Sequence, residues 1–315
     1  MFKRWIIRFI VFGILLSIVG ISQTVYAEDA VIKIGILQYV EHNALDAARE
    51  GFINRLQASE YRDQIELDIQ NASGNQTTLQ SISEKLSRDN DILYAIATPA
   101  AISLASLEQE KPIFIAAVTD PVSAGLVESL EKPGRNVTGT SDMQPLDEQV
   151  DLLIRNFPEA KTVGLIYNSS EVNSQIQATE AVRLLEEKGI ETIETTVVST
   201  NDIAQALNSL IQDVDALFMV TDNTIDSAIT LVGDIAKEHK VPTIGSSDAV
   251  VRQNGLATIS NSYYDSGVQT AEMVIRMLDE GLEPADMAIE LGKEFEIVVN
   301  EDFAKAIDID PSTIK

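Results

Sequence analysis

An α/β fold built from two similar lobes is predicted by two observations: short apolar runs alternate with amphipathic stretches along the chain, and that alternation is written twice. The strand candidates are Lys33–Gln38, Ile65–Gln70, Ile92–Ala97, Ile113–Val118, Val137–Thr140, Val163–Tyr167, Thr192–Val198, Ala216–Val220, Thr243–Gly245, Ala257–Ile259 and Glu296–Val299. Most are near-continuous apolar runs without strict alternation, the pattern of strands covered on both faces of a parallel sheet. Helical patterns fall between them at Ala44–Ser59, Thr77–Asp89, Pro99–Glu108, Leu146–Asn156, Ser174–Lys188, Ile203–Gln212, Ile225–His239 and Ser266–Glu280.

Three pairs of segments carry the repeat. IKIGILQYVEHNALDAAREGF has the layout of KTVGLIYNSSEVNSQIQATEAV, NDILYAIATPAAISLA that of VDALFMVTDNTIDSAI, and KPIFIAAVTDPV that of KVPTIGSSDAVV, with Pro112 and Pro242 at the strand entries. The offset stays near 125–130 residues, far beyond the roughly 20–50 residues of a solenoid repeat, so the unit duplicated is a whole lobe. The expected division is a signal peptide at 1–27, a first lobe at 31–142 plus about 263–291, and a second at 143–262 plus about 292–315, giving doubly wound parallel sheets that face each other across a cleft.

The N-terminus reads as an export signal. Lys3, Arg4 and Arg8 precede an apolar run from Phe9 to Ile21, and Val25-Tyr26-Ala27 places small residues where a signal peptidase cuts. The run is shorter than the ~20 residues that span a bilayer. Counting from Trp5 lengthens it, so a retained anchor stands beside cleavage as an alternative. Export places the mature chain at the outer face of the cytoplasmic membrane or free in the medium.

Composition narrows the function. Across 315 residues, 23 Lys and Arg stand against 49 Asp and Glu, a formal charge of −26 that repels nucleic-acid phosphates. There is no cysteine, which removes thiol catalysis, Cys-ligated metals and a lipid-anchoring N-terminal cysteine. Only His42 and His239 are present, and no GxSxG, HExxH or SxxK pattern occurs. The expectation is a binding protein, not an enzyme, with no cofactor and no metal. Its acidic residues are spread over separate turns without a calcium-type loop.

In open parallel sheets ligands bind beyond the carboxyl ends of the strands. Those ends read Gln38-Tyr39-Val40-Glu41-His42, Thr98-Pro99-Ala100, Thr119-Asp120-Pro121, Asn168-Ser169-Ser170, Thr221-Asp222-Asn223 and Ser246-Ser247-Asp248. Any one of these turns is explained by helix capping. Six on facing rims outline a polar cleft. None contains Lys or Arg, while Glu41, Asp120, Asp222 and Asp248 are acidic. Hydroxyls and helix N-termini can take a carboxylate and an Asp can take an ammonium, so the set suits a zwitterion. A phosphorylated or dicarboxylate ligand would want an Arg clamp. A sugar or nucleoside on the same fold remains an alternative ligand, and a non-transport ligand sensor an alternative role, although rim aromatics are few (Tyr39, Tyr167, Tyr263, Tyr264).

At these residues the sequence resembles the ABC-transporter substrate-binding proteins of the tryptophan/tyrosine-binding group, which have a type I periplasmic-binding-protein-like fold. The resemblance runs through KIGILQYVEHNALDAAREGF, AIATPAA, AAVTDPVSAGLVESLEKPGRNVTGTSD, GLIYNSSEVNS, TDNTI and GLATIS, covering about 31–300. It implies an aromatic or other hydrophobic amino acid as ligand and a membrane permease and its ATPase as partners, with no catalysis by this subunit; a monomer is the expectation for the fold class. Residue by residue it implies carboxylate contacts at Thr98 and the N–H groups from Ala100 onward in the helix of Pro99, and shared contacts at Ala117 and Thr119. Asp222 would take the ammonium, with Asp248 a second candidate. Asn168 and Ser169 would close over the ligand, and Gln38, Glu41 and His42 would line its side-chain end. Gly139-Thr140-Ser141-Asp142, Ser260-Asn261-Ser262 and the stretch around Gly292 are expected where the chain crosses between lobes.

Overall fold

The computed structural model describes residues 31–292 and 294–315, so the export signal read at 1–27 lies outside the described residues. The chain first lays down β1 (Ile32–Gln38), α1 (Asn43–Gln57), β2 (Ile65–Asn71), α2 (Gln76–Asp89), β3 (Ile92–Ile96), α3 (Thr98–Leu107), β4 (Ile113–Val118) and β5 (Val137–Ser141). It then builds α4 (Leu146–Asn156), β6 (Thr162–Asn168), α5 (Val172–Glu187), β7 (Glu191–Val197), α6 (Thr200–Leu210), β8 (Ala216–Met219), α7 (Asn223–Ser227), α8 (Ile229–Glu238), β9 (Thr243–Gly245), α9 (Asp248–Asn254) and β10 (Ala257–Ser260). It returns through α10 (Tyr263–Glu280) and β11 (Glu290–Leu291), and ends in β12 (Glu296–Val299) and α11 (Glu301–Ala306).

Two six-stranded sheets result, in the orders β11-β5-β4-β3-β1-β2 and β12-β10-β9-β8-β6-β7. The first five strands of each lobe occupy equivalent places, which is the duplication seen in the sequence. The last strand breaks the symmetry, because β11 runs parallel to β5 and β12 antiparallel to β10. One device recurs in both lobes. Asp91, just before β3, accepts a hydrogen bond from the Lys33 N–H at 2.9 Å. Asp215, just before β8, accepts from Lys161 and Thr162 at 2.7 and 3.0 Å. Each Asp thereby sets the register of the lobe's central strand pair.

Central strands are buried along their whole length: every residue of ILYAI in β3, IFIAAV in β4 and ALFM in β8 is buried. Edge strands β2 and β7 are only half covered, which is why their sequences carry Glu66, Asp68, Glu191 and Glu194. The two cores are separate. Ile34, Phe52, Tyr94, Phe114 and Met273 belong to the first, and Val163, Leu207, Phe218, Ile244 and Phe303 to the second.

The helix expected at Ile225–His239 is two helices, α7 and α8, broken at Ala228, whose φ of −110° and ψ of 17° leave the helical region. Asp222 caps the short α7 by accepting the Ile225 N–H. Polar first turns also start α5, α6 and α10 earlier than apolar periodicity indicates, with Ser199 and Asp202 forming a capping box on α6. Two-residue β11, seven-residue α9 and six-residue α11 are too short to be read from periodicity.

Helices α1 and α10 pack at backbone contact. A Cβ on Gly51 would lie 2.0 Å from the Tyr264 carbonyl oxygen, and one on Gly267 would lie 2.0 Å from that of Ala48. Helix propensity favours Ala over Gly by about 1 kcal/mol, whereas overpacking costs about 1–3 kcal/mol or more. Here the obstruction is backbone and cannot rotate away. Gly51→Ala and Gly267→Ala are therefore expected to lower the urea-unfolding free energy, each by about 2 kcal/mol. An increase would show that the helices can separate freely.

Candidate functional site

The carboxyl ends of both sheets meet across the lobes, and backbone strain collects there. Ala97 after β3, Ala117 in β4 and Ser246 after β9 have φ of 85°, 54° and 55°, values that side-chain-bearing residues rarely adopt. His42 Nε2 lies 3.5 Å from Asn223 Oδ1, joining the turn after β1 to the start of α7 in the other lobe. Burial lowers the His42 pKa to about 4, so the ring is neutral at physiological pH. Tyr39 sits beside it, and its phenol is pushed up to about 12 by burial and then by Glu171 and Asp222 opposite.

The second lobe contributes a dense polar knot. Glu171, 1% exposed, accepts the Asn223 N–H and side-chain amide through one oxygen, at 3.1 and 2.6 Å. Its other oxygen takes the Thr224 N–H and hydroxyl at 3.0 and 2.8 Å. Asp222 accepts the Asn168 N–H at 2.6 Å and the Ile225 N–H at 2.8 Å, one on each oxygen. Asp226 accepts the Ser246 hydroxyl. Gln177 accepts the Thr221 N–H at 2.9 Å, and Asn173 donates to the Thr221 carbonyl at 2.9 Å. Burial raises the Asp222 carboxyl to about 7, with Glu171 adding to the shift, and burial followed by the Asp222 charge holds Asp226 well above the ordinary carboxylate range. The charges acting on this pair are other carboxylates, with no Lys or Arg among them.

After these bonds are made, a complementary set of buried atoms is left without protein partners. Its donors are the hydroxyls of Thr98 and Thr221 and the amide nitrogen of Gln177, and its acceptors Asp142 Oδ1, Gln144 Oε1 and Asn173 Oδ1; His42 Nδ1, Ser87 Oγ and Gln149 Oε1 are also buried without a partner. Thr98 comes from the first lobe, Asp142 and Gln144 from the segment leaving β5, and the others from the second lobe. Buried polar atoms without partners are uncommon, and six around one interlobe region mark a place built for a polar ligand. Two cavities flank it. One of about 550 Å³ is lined by Tyr39, Ser73 and Gln76 on one side and Asn168, Ser170 and Asn223 on the other. The second, of about 440 Å³, runs between Thr119, Met143, Gln144, Ile176, Gln177 and Leu184.

Of the residues expected at the site, Thr98, Ala100, Ala117, Thr119, Asn168, Asp222 and Asn223 are buried at the strand ends, and Pro99 is half-buried. Ser170 is exposed but lines the larger cavity. Others are turned to different work. Gln38 faces into its own lobe, donating to Asp46 at 2.9 Å and accepting from Arg49. Glu41 and Ser169 face solvent. Asp120 caps its own turn through the Val122 and Ser123 N–H groups while bordering the smaller cavity. Asp248 pairs with Arg252 at 3.4 Å, one turn along α9. Sequence reasoning missed Gln177 and Asp226 because they lie inside the helical patterns Ser174–Lys188 and Ile225–His239, missed Glu171 and Asn173 in the gap between the turn after β6 and that first helix, and read Asp142 as part of a crossing. The signal available was their polarity on otherwise buried helix faces.

The sign of the carboxyl shifts gives a pH dependence. A carboxyl raised from 3.8 to about 7 in the folded state binds more protons than the unfolded chain between those values, so stability falls as pH rises through about 7. The ligand-stripped protein is expected to melt higher at pH 6.5 than at pH 8. Asp222→Asn should flatten that slope in calorimetry, and an unchanged slope would count against the buried carboxyl as its source.

Comparison with known proteins agrees with this geometry. The sequence profile of the family described as ABC transporter substrate binding protein matches residues 33–313. A curated tyrosine-binding protein from Clostridioides difficile (strain R20291) is 41% identical over 280 residues, 88% of this chain and 81% of that protein. Among solved structures, a domain from Streptococcus pneumoniae in complex with L-Trp superposes with a TM-score of 0.85 at 37% identity, over 89% of this chain and 95% of that one. The ligand-free, open structure of a substrate-binding protein with adhesive properties from Clostridium difficile gives 0.68 at 39% identity, over 89% and 96%. At nearly equal identity and coverage the chain thus superposes more closely on the complex than on the open structure. With the profile spanning almost all the described residues, this chain belongs to the ABC transporter substrate-binding proteins, of the tryptophan/tyrosine group.

Proposed function

We propose that this substrate-binding component captures an aromatic amino acid, tryptophan or tyrosine, between its lobes and presents it to a membrane permease driven by an ATPase. The observation that carries the reading is the unpartnered set itself. Three donors suit a carboxylate and three acceptors an ammonium, with no basic side chain among the six. Hydrogen bonds to charged groups contribute about 1.5–3 kcal/mol each, so three or four reach the ~8 kcal/mol of micromolar binding. The relatives that bind L-Trp or carry the name tyrosine-binding support the aromatic side chain. Thr98, Pro99, Ala100, Ala117 and Thr119 form the first-lobe wall in this reading, with Asn168, Asp222 and Asn223 opposite.

The lobes comprise 31–142 with about 263–291, and 143–262 with about 292–315, in keeping with the two sheets and cores. Ligand contacts drawn from both favour the closed arrangement by their differential affinity for it. The protein works as a monomer without catalysis, exported by the signal at 1–27, which either is cleaved or stays as the anchor that a lipidated cysteine would otherwise supply. Among the described residues no helix is long and apolar enough to cross a membrane.

Residues 28–315, stripped of ligand by unfolding and refolding, should melt several degrees higher with tryptophan or tyrosine in a screen of amino acids, sugars and nucleosides. Ligand at a hundred times Kd stabilises by about 2.7 kcal/mol. A shift with a sugar or nucleoside alone would overturn the amino-acid reading. Thr98→Val separates binding from folding. Removing a buried hydroxyl that has no protein partner should leave the melting point of the stripped protein equal or higher, while affinity drops about tenfold.

A further inference from the structure

Resting on that zwitterion reading, we infer that the ligand's ammonium is anchored by Asp142, on the crossing between the lobes, with Tyr263 as the residue that positions it. Comparison of the carboxylates at the strand ends leads there. Asp222 has a backbone N–H on each oxygen, Glu171 has two donors on each, and both Asp226 oxygens face the Ser246 hydroxyl. Asp120 caps its turn and Asp248 holds Arg252. Asp142 is different. It is 1% exposed, and its Oδ1 is the one buried carboxylate oxygen without a partner among the described residues.

The surroundings hold this oxygen in place. The Tyr263 hydroxyl donates to the other oxygen, Oδ2. Tyr263 opens α10 on the returning crossing, whereas Asp142 follows β5 on the outgoing one, so the bond ties the two crossings together. Gln144 reinforces the tie, donating to the Asp142 carbonyl at 2.9 Å and to Asn261 Oδ1 at 3.4 Å. Thr119, which lines the smaller interlobe cavity with Gln144 and Gln177, turns its hydroxyl towards the Asp142 carboxyl. Burial without a cation raises the Asp142 pKa, with Tyr263, then Thr119 and the Asp142 backbone N–H, offsetting part of the rise. An ammonium brought by the ligand supplies both the missing charge and the missing donor. In this arrangement Asp222 shapes the second-lobe wall by holding Asn168 and α7.

The test is titration calorimetry of the ligand-stripped protein with L-tryptophan and L-tyrosine and with their des-amino counterparts, 3-(indol-3-yl)propionate and 3-(4-hydroxyphenyl)propionate. The unmodified protein should prefer the amino acid. Asp142→Asn should cut that preference roughly tenfold to a hundredfold, chiefly by weakening the amino acid. Asp222→Asn should weaken amino acid and des-amino analogue together, leaving their ratio in place. Tyr263→Phe, which keeps the ring and loses the hydroxyl, should reduce the preference in the same direction, and it carries the test if Asp142→Asn does not fold. A preference untouched in Asp142→Asn, or collapsing in Asp222→Asn instead, overturns the assignment. If the unmodified protein binds amino acid and analogue equally, the anchor falls and the amino-acid reading stands; if it binds neither, both fall.

Discussion

Several carboxylates are buried together in this protein with no Lys or Arg paired to them among the described residues, and the organisation of the interlobe region follows from that constraint. Glu171, Asp222, Asp226 and Asp142 are all almost completely withdrawn from water. A charge removed from solvent must be hydrogen-bonded, neutralised or protonated. The second lobe meets the need with backbone N–H groups and hydroxyls, which is why α7 is short, sharply capped and joined to the start of α5 through Glu171. Those bonds hold the loops of Asn168 and Thr221 rigidly enough to face a ligand. What they leave is a carboxylate oxygen near the crossing and a group of hydroxyl and amide donors nearby.

The same constraint ties recognition to closure. A site whose donors come from both lobes, Thr98 from the first and Thr221 and Gln177 from the second, and whose acceptors lie on the crossing and on the second lobe is complete only when the lobes meet. Thr98 stands at the end of β3, Thr221 at the end of β8, and Asp142 between them on the chain. Neutral His42 against Asn223 adds an interlobe contact that carries no charge into the acidic region. An Arg at such a position would satisfy the carboxylates internally and remove the reason to bind a cationic group. The nearest one bordering the flanking cavity, Arg183, is held at the surface by Glu180 and Glu187.

The α/β architecture, the duplication and the general location of the site were legible in the residue order. Short unbroken apolar runs such as IFIAAV, alternating with amphipathic stretches, have the pattern of strands covered on both faces, and the Asp-led strands after Asp91 and Asp215 repeat at the offset of the whole lobe. Small polar residues at strand ends marked the rims. Gln38 shows the limit of that reasoning: it follows an apolar strand as the others do, yet Asp46 and Arg49 one turn into α1 engage it from below.

The sequence by itself determined the fold class and its duplication, because hydrophobic period and repeat spacing are properties of residue order. Tertiary structure decided which acids are structural and which is left over. Asp222 and Asp142 look equally free in the sequence, and both are buried. The difference is that Asp222 meets the N–H groups of Asn168 and Ile225, while Asp142 meets the hydroxyl of Tyr263, about 120 residues away, on only one of its oxygens. Hydrogen-bond satisfaction depends on angles and distances between segments remote in sequence, and only the packed fold sets those.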